Sequence, residues 1–316
     1  MHILINGWFW GQSTTGSGQY LHRLVEHLAR MKTGARFTLL TPKGGDWGLG
    51  TGDWDAQSPI SNTQYPIPNL PRQLAKLYWE QIAVPAAARR LGADLLFVPY
   101  WAAPLWQPVP TVVTVHDLIP LLLPAYQGGT LNRLYTVLVS ASAARATAVI
   151  TVSHAGARDL TTHLLISPAR VFPIHHGPNV AARPGPDGHE LAAVRAKYAL
   201  PPRYFLYLGG FDARKNVEGI LMGYRRYLDK GGDPAVKLIL AGKVPERDTD
   251  FFPNPRRMAA ALNLGEQVHY TGWVDEADKP ALYAGATAYL FPSHYEGFGM
   301  MMLEAMAAGC PVITSR

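Results

Sequence analysis

Cysteine is nearly missing from this chain. One residue in 316, Cys310, rules out an internal disulfide, so the fold has no covalent staple and suits a reducing, cytosolic setting. Beside Pro311, that thiol reads as a small buried residue. Charge is sparse as well: Asp, Glu, Lys and Arg make up 16% of the residues, against roughly a quarter in ordinary soluble domains, while 48% are hydrophobic. This balance excludes a disordered polyelectrolyte and supplies sizeable cores. Long apolar runs are lacking too. The stretch 118–125 is broken by proline and falls far short of the roughly twenty residues that span a bilayer. The opening Met1-His-Ile-Leu-Ile-Asn-Gly enters a strand pattern at once, with no basic leader, apolar core or cleavage site, so no secretory signal is read there. Finally, no basic run exists. The net charge is +6, but Lys and Arg are dispersed, which argues against a nucleic-acid partner and leaves an anionic small molecule or an anionic membrane face.

What is present is alternation. Short apolar strands alternate with helix-length periodic segments, the pattern of parallel sheets covered on both faces, and 316 residues suit two such domains. In the first series strands are expected at 2–6, 36–41, 94–99, 111–116, 148–152 and 170–174, and in the second at 204–208, 236–241, 267–270, 288–291 and 311–314. The Gly-Pro-Asn-rich stretch 177–188 has linker chemistry, which gives an N-terminal domain at 1–176 and a C-terminal domain at 189–316. No internal repeat is evident. The segment 71–85 mixes basic, aromatic and aliphatic residues and would suit peripheral membrane contact, although an ordinary core-facing helix explains it more simply.

The most informative stretch lies near the C-terminal end. Phe291-Pro-Ser-His-Tyr-Glu-Gly-Phe-Gly-Met-Met-Met-Leu-Glu-Ala-Met-Ala-Ala-Gly-Cys-Pro-Val-Ile-Thr reads as a strand, a loop over 292–299 and a helix over 300–308. Glycines before a helix start expose unpaired amides and partial positive charge, which suits a phosphate; the flanking carboxylates Glu296 and Glu304 suit sugar or ribose hydroxyls. Phosphate plus sugar suggests a nucleotide sugar.

This string resembles the donor-site signature of family 4 retaining glycosyltransferases of the GT-B fold, in which two Rossmann-like parallel-sheet domains face a cleft. The resemblance implies that Glu296 meets hydroxyls of the transferred sugar and Glu304 the ribose, while Gly297, Phe298, Gly299 and Met300 line the phosphate. Many relatives carry proline where this chain has Met301, a departure that bears on sugar choice.

A second element, Tyr204-Phe-Leu-Tyr-Leu-Gly-Gly-Phe-Asp-Ala-Arg-Lys-Asn, follows a strand with glycines and then Arg214 and Lys215 at a helix start. Fixed cations there would stabilise the charge that moves onto a departing diphosphate. The Arg-Lys-Asn string resembles the family's phosphate-binding element; where relatives often add an arginine, this chain has Gly210, so the task falls on Lys215 and Arg214. In the first domain, residues 7–18 form a Gly/Ser/Thr-rich loop before a helix beginning near Gln19. It has neither the Walker nor the dinucleotide spacing. By the resemblance, Gly16 and Gly18 lie near the donor phosphate and acceptor. His116 ends a strand and begins His-Asp-Leu-Ile-Pro, which resembles a motif of mannosyltransferase-like members whose histidine lies beside the donor sugar.

Three further features carry less. His175 and His176 are only a pair and read as structural rather than metal-binding. Asp53-Trp-Asp55 looks like the metal motif of another glycosyltransferase fold, but no strong strand flanks it. Met300 to Met302 reads as helix packing.

The implied function is metal-independent, retaining transfer of a sugar, with a lean towards GDP-mannose, from a nucleoside-diphosphate donor to a glycan or lipid-linked acceptor, in the cytoplasm or at the inner membrane face. The donor is a substrate, and no separate cofactor is expected. Catalysis would rest on Glu296, His116 and Lys215. An epimerase or phosphorylase on the same fold, or a non-catalytic sugar-nucleotide-binding partner, are the alternatives. Because the chain stops directly after a strand, the second domain is expected to be incomplete.

Overall fold

The computed structural model describes residues 1–12, 15–43, 60–177 and 185–315. Asp53-Trp-Asp55, Ser13, Thr14 and most of the linker, 178–184, lie outside the described residues. The chain divides into two compact units, 1–175 and 176–316.

The first unit runs β1 (His2–Asn6), α1 (Gly16–Arg30), β2 (Arg36–Lys43), β3 (Ile60–Pro66), α2 (Arg72–Tyr78), a π-helical turn (Trp79–Ala83), α3 (Val84–Arg90), β4 (Leu95–Val98), β5 (Thr111–Val115), α4 (Ile119–Leu122), α5 (Thr130–Arg145), β6 (Ala148–Thr151), α6 (His154–His163) and β7 (Val171–Pro173). The strands form one parallel sheet in the order β3-β2-β1-β4-β5-β6-β7. Alternation along β1 splits the core. Leu4 packs with Trp79, Ala83, Val84, Leu96 and Val113, whereas Ile5 packs with Leu21, Val25, Phe37 and Leu39 of the opposite face.

The second unit runs α7 (Gly188–Lys197), β8 (Arg203–Leu208), α8 (Val217–Asp229), β9 (Val236–Ala241), α9 (Pro255–Ala261), β10 (Val268–Gly272), α10 (Lys279–Ala284), β11 (Ala288–Phe291), α11 (Met300–Ala307) and β12 (Val312–Thr314). Its parallel sheet has the order β10-β9-β8-β11-β12. Along β8, Leu206 and Leu208 face one core with Leu282 and Phe291, and Tyr207 faces another with Val217, Leu221 and Leu240.

Both sheets reverse direction of growth in the same way. The first three strands add outward on one side, and the chain then returns to place β4 beside β1, or β11 beside β8. Loops at the carboxyl ends of strands flanking such a switch point diverge and leave a crevice for ligands. In the first unit these are the loops after Asn6 and Val98; in the second they are 209–216 and 292–299.

Two elements differ from the expectation. β3 is a strand that the pattern does not mark, because Ser61, Asn62 and Gln64 are exposed on an outer edge and carry no apolar alternation. The first helix starts at Gly16 rather than near Gln19, since the Thr15 hydroxyl accepts from the Gly18 amide and caps it there. Among the described residues, no helix is long and apolar enough to cross a membrane.

Candidate functional site

The second unit's switch point collects charge. After β8 the chain makes a 3-10 turn over Ala213–Lys215, then reaches Asn216 in the left-handed region at φ 55°. Asn216 does two jobs: its Oδ1 accepts from the Gly219 amide at 3.1 Å, capping α8, and its Nδ2 donates to the Pro292 carbonyl at 3.0 Å. The His294 amide donates to the Arg214 carbonyl at 2.8 Å, and Arg214 Nη1 donates to the Tyr295 carbonyl at 2.9 Å. The two loops are thereby stitched together before any charge is considered.

Onto that frame are set Lys215 Nζ, 2.7 Å from Glu296 Oε1, and Arg214 Nη1, 2.7 Å from Glu296 Oε2. Arg214 Nε also lies 3.5 Å from Asp212 Oδ1. Burial pushes the Glu296 carboxyl up, but Lys215 and then Arg214 outweigh it and hold it below the usual carboxylate range. The ammonium of Lys215 also stands 5.3 Å from the Phe291 ring centre.

Gly299, at φ 92°, forms the N-cap of α11 and brings no side-chain acceptor to the first-turn amides. Phe298 packs edge-on against His176, with ring centres 5.3 Å apart, and burial lowers the His176 pKa. Glu304 is on the buried side of α11, where the Tyr283 hydroxyl donates to its Oε2 at 3.4 Å. Gly297 and Met300 are half-buried. The sequence-predicted residues Arg214, Lys215 and Glu296 are therefore in direct contact, with 297–300 adjoining in sequence and Glu304 on the helix that follows.

In the first unit, Gly18 is packed against backbone: a Cβ there would sit 2.0 Å from the Gln12 carbonyl oxygen, whereas Gly16 has open space. Both lie in the first turn of α1, not in the preceding loop. One turn on, Tyr20 packs edge-on to His116 at 4.7 Å between ring centres and shares a 3.3 Å hydrogen bond with Thr114. His116 Nε2 donates to the Pro99 carbonyl at 3.3 Å, and Asp117 accepts from the Ile119 amide at 3.0 Å, which turns the chain into α4. His175 packs against His154.

Sequence reasoning missed two groups. Asn216 lies in the quoted string, and an Asn before a helix is itself a cap signal. A buried cluster was also passed over, in which Glu80 accepts from the Tyr135 hydroxyl at 2.9 Å and Lys76 Nζ, 3.4 Å from the same carboxylate, faces the rings of Phe9, Tyr100 and Tyr135.

Two doubly wound parallel sheets joined in one chain, each with ligand-side loops at its switch point, define the GT-B class. The solved structures agree: sucrose-phosphate synthase from Thermosynechococcus elongatus aligns with a TM-score of 0.67 at 23% identity over 99% of this chain and 81% of its own, and Anabaena HepE, solved in complex with UDP, with 0.67 at 19% over 99% and 80%. Residues 14–182 match Glycosyltransferase Family 4 and residues 193–316 match Glycosyl transferases group 1. The chain belongs to glycosyltransferase family 4. Among curated proteins it is similar to the serotype-specific mannosyltransferase WbdA of Escherichia coli, 29% identical over 66% of this chain and 25% of that protein, and to the O-antigen chain mannosyltransferase B of Escherichia coli, 35% identical over 40% and 32%. The chain thus spans about a quarter to a third of the length of these relatives.

Proposed function

We propose that this chain is a retaining, metal-independent glycosyltransferase that moves a sugar from a nucleoside-diphosphate donor to a hydroxyl of a glycan or lipid-linked acceptor. The observation that carries this reading is the contact of Lys215 and Arg214 with one carboxylate, Glu296, beside the glycine-capped start of α11.

Each group has a task in that reaction. Breaking the bond between the anomeric carbon and the phosphate oxygen leaves its electron pair on the diphosphate, and Lys215, Arg214 and the α11 amides stabilise that charge more in the transition state than before it. These fixed donors do what a divalent cation does elsewhere, and this supports metal independence. With the cations turned to phosphate, Glu296 accepts from hydroxyls of the sugar. Retention follows if the acceptor oxygen bonds to the anomeric carbon on the face from which the diphosphate leaves, passing its proton to the departing phosphate oxygen. Gly16 and Gly18 let backbone approach donor and acceptor, His116 holds a sugar or acceptor hydroxyl, and Glu304 holds the ribose. Residues 1–176 would form the acceptor side and 189–316 the donor side, joined by 177–188.

The names of the relatives favour mannose, hence GDP-mannose, and polysaccharide synthesis. A cytoplasmic chain resting on the inner membrane face suits a lipid-linked acceptor.

The test is a thermal-shift panel of UDP, GDP, ADP and their sugars, followed by transfer assays with Glu296→Gln and Lys215→Ala. A donor at a hundred times its Kd stabilises by about 2.7 kcal/mol, and losing one charge-stabilising donor costs about 100-fold in turnover. Silence across the panel, or near-normal turnover in both variants, would sink the reading.

A further inference from the structure

The two loops at the ligand end of the first unit meet at a lysine. Phe9 lies in the turn after β1 and Tyr100 in the loop after β4, the loops that flank this unit's switch point. Their rings pack edge to face, with centres 4.8 Å apart and planes at 88°. Lys76, from α2, places its Nζ 5.7 Å from each ring centre. Two further groups hold that ammonium. Oε1 of the fully buried Glu80 lies 3.4 Å away, and the Tyr135 hydroxyl of α5 accepts from Nζ at 2.9 Å while donating to the Glu80 oxygens at 3.1 and 2.9 Å. Swinging Lys76 out to water would strand a buried anion.

The two rings are secured differently. The Tyr100 hydroxyl accepts from Asn6 Nδ2 at 3.0 Å, and Asn6 Oδ1 accepts from the Trp8 amide at 3.1 Å and from Trp79 Nε1 at 2.8 Å. Phe9 has no polar atom in its side chain, so its ring is placed by packing and by the pull of a cation on a π-system. What Phe9 carries is the glycine-rich loop. Its carbonyl accepts from the Gln12 amide at 3.0 Å, and the Gln12 carbonyl accepts from the Thr15 amide at 3.0 Å and the Thr15 hydroxyl at 2.8 Å. That hydroxyl in turn accepts from the Gly18 amide at 3.1 Å. Displacing Phe9 displaces this relay and the start of α1 with it.

We propose that Lys76 is a positioning residue: anchored by Glu80 and Tyr135, its ammonium holds the rings of Phe9 and Tyr100 and so fixes the glycine-rich loop against the loop after β4. A neutral side chain of the same length would fill the volume without attracting the rings. It would also leave the Glu80 carboxylate without its cation. The effect on sugar transfer rests on the reading that this end of the first unit receives donor and acceptor; the clamp on the loop does not.

The experiment has two readouts on the full chain. Amide hydrogen exchange is compared in the wild type, Lys76→Met, Phe9→Leu and the double variant; the first change removes the charge and keeps the length, and the second removes the ring and keeps an apolar filler. The Gln12, Thr15 and Gly18 amides should exchange about 5- to 30-fold faster in each single variant and no faster again in the double, while β6 keeps the wild-type rate. Unchanged exchange in the loop, multiplying gains in the double variant, or an equal gain in β6 overturns the proposal. Transfer from GDP-mannose to p-nitrophenyl α-mannoside is then measured, and kcat/KM should fall about 10- to 100-fold in both single variants. Wild-type transfer from a loosened loop overturns the positioning role. A wild type that transfers nothing from this donor would count against the mannosyl reading, and the exchange rates would still decide the clamp. If Lys76→Met does not fold, Phe9→Leu decides alone, and an unmoved loop in that variant overturns the assignment.

Discussion

Gly18 and Gln12 are in backbone contact so close that a methyl group on residue 18 would overlap the Gln12 carbonyl, 2.0 Å from its oxygen. Gly16, two residues earlier in the same helical turn, meets nothing within 4 Å. The two glycines should therefore part company. Gly18→Ala must displace the loop and is expected to lower stability by about 1–3 kcal/mol, whereas Gly16→Ala should be neutral or stabilising by up to about 1 kcal/mol. Urea denaturation of both variants checks this, and equal losses would contradict it.

Asn216 holds three roles in one side chain: a left-handed backbone, the cap of α8 and the tie to Pro292. Asn216→Ala loses all three, for about 2–3 kcal/mol, while Asn216→Gly recovers the backbone freedom and should lose less. Donor affinity, measured by calorimetry, should fall in both variants, because the loop carrying Glu296 loses its Pro292 tie to the loop carrying Lys215 and keeps only those through Arg214 and Lys215.

Two carboxyls, Glu80 buried and Glu296 half-buried, should give pH dependences of opposite sign. Glu80 is raised to about 7, so the folded state binds its proton more tightly than the unfolded chain does. Stability from this group is fully present below the ordinary carboxylate range and is lost as pH rises towards 7, by about 3 kcal/mol in all. Glu296 is lowered, so its contribution is present above the ordinary range and lost as pH falls below it. Denaturation midpoints across pH 4 to 8 should show Glu80→Gln abolishing the loss at the upper end and Glu296→Gln weakening the loss at the lower end. Parallel profiles for wild type and Glu80→Gln would refute the first half.

The site's local strings were readable because their chemistry lies within a few residues: Ala213-Arg-Lys-Asn caps one helix, and Tyr295-Glu-Gly-Phe-Gly leads into another. β3 was not readable because an outer strand takes its register from β2 and needs no apolar alternation. Nor was the helix start at Gly16, where two glycines disguise a turn that Thr15 specifies. The Glu80 cluster lay furthest out of reach. Its members are separated by 55 residues between Glu80 and Tyr135 and by 73 between Asn6 and Trp79, and no local pattern announces that a glutamate beside a tryptophan has turned inward.

That inward turn lies on the widened helical turn Trp79–Ala83, where Trp79 and Glu80 are both fully buried. One extra residue is wound in between α2 and α3 without breaking the helix. Shortening the chain there by a single position would rewind the turn as ordinary helix and swing every side chain before it around the axis relative to those after it. Length at this point is therefore a phase setting, and a deletion that a surface loop would absorb would here uncouple Lys76 and Glu80 from the rings that now hold them.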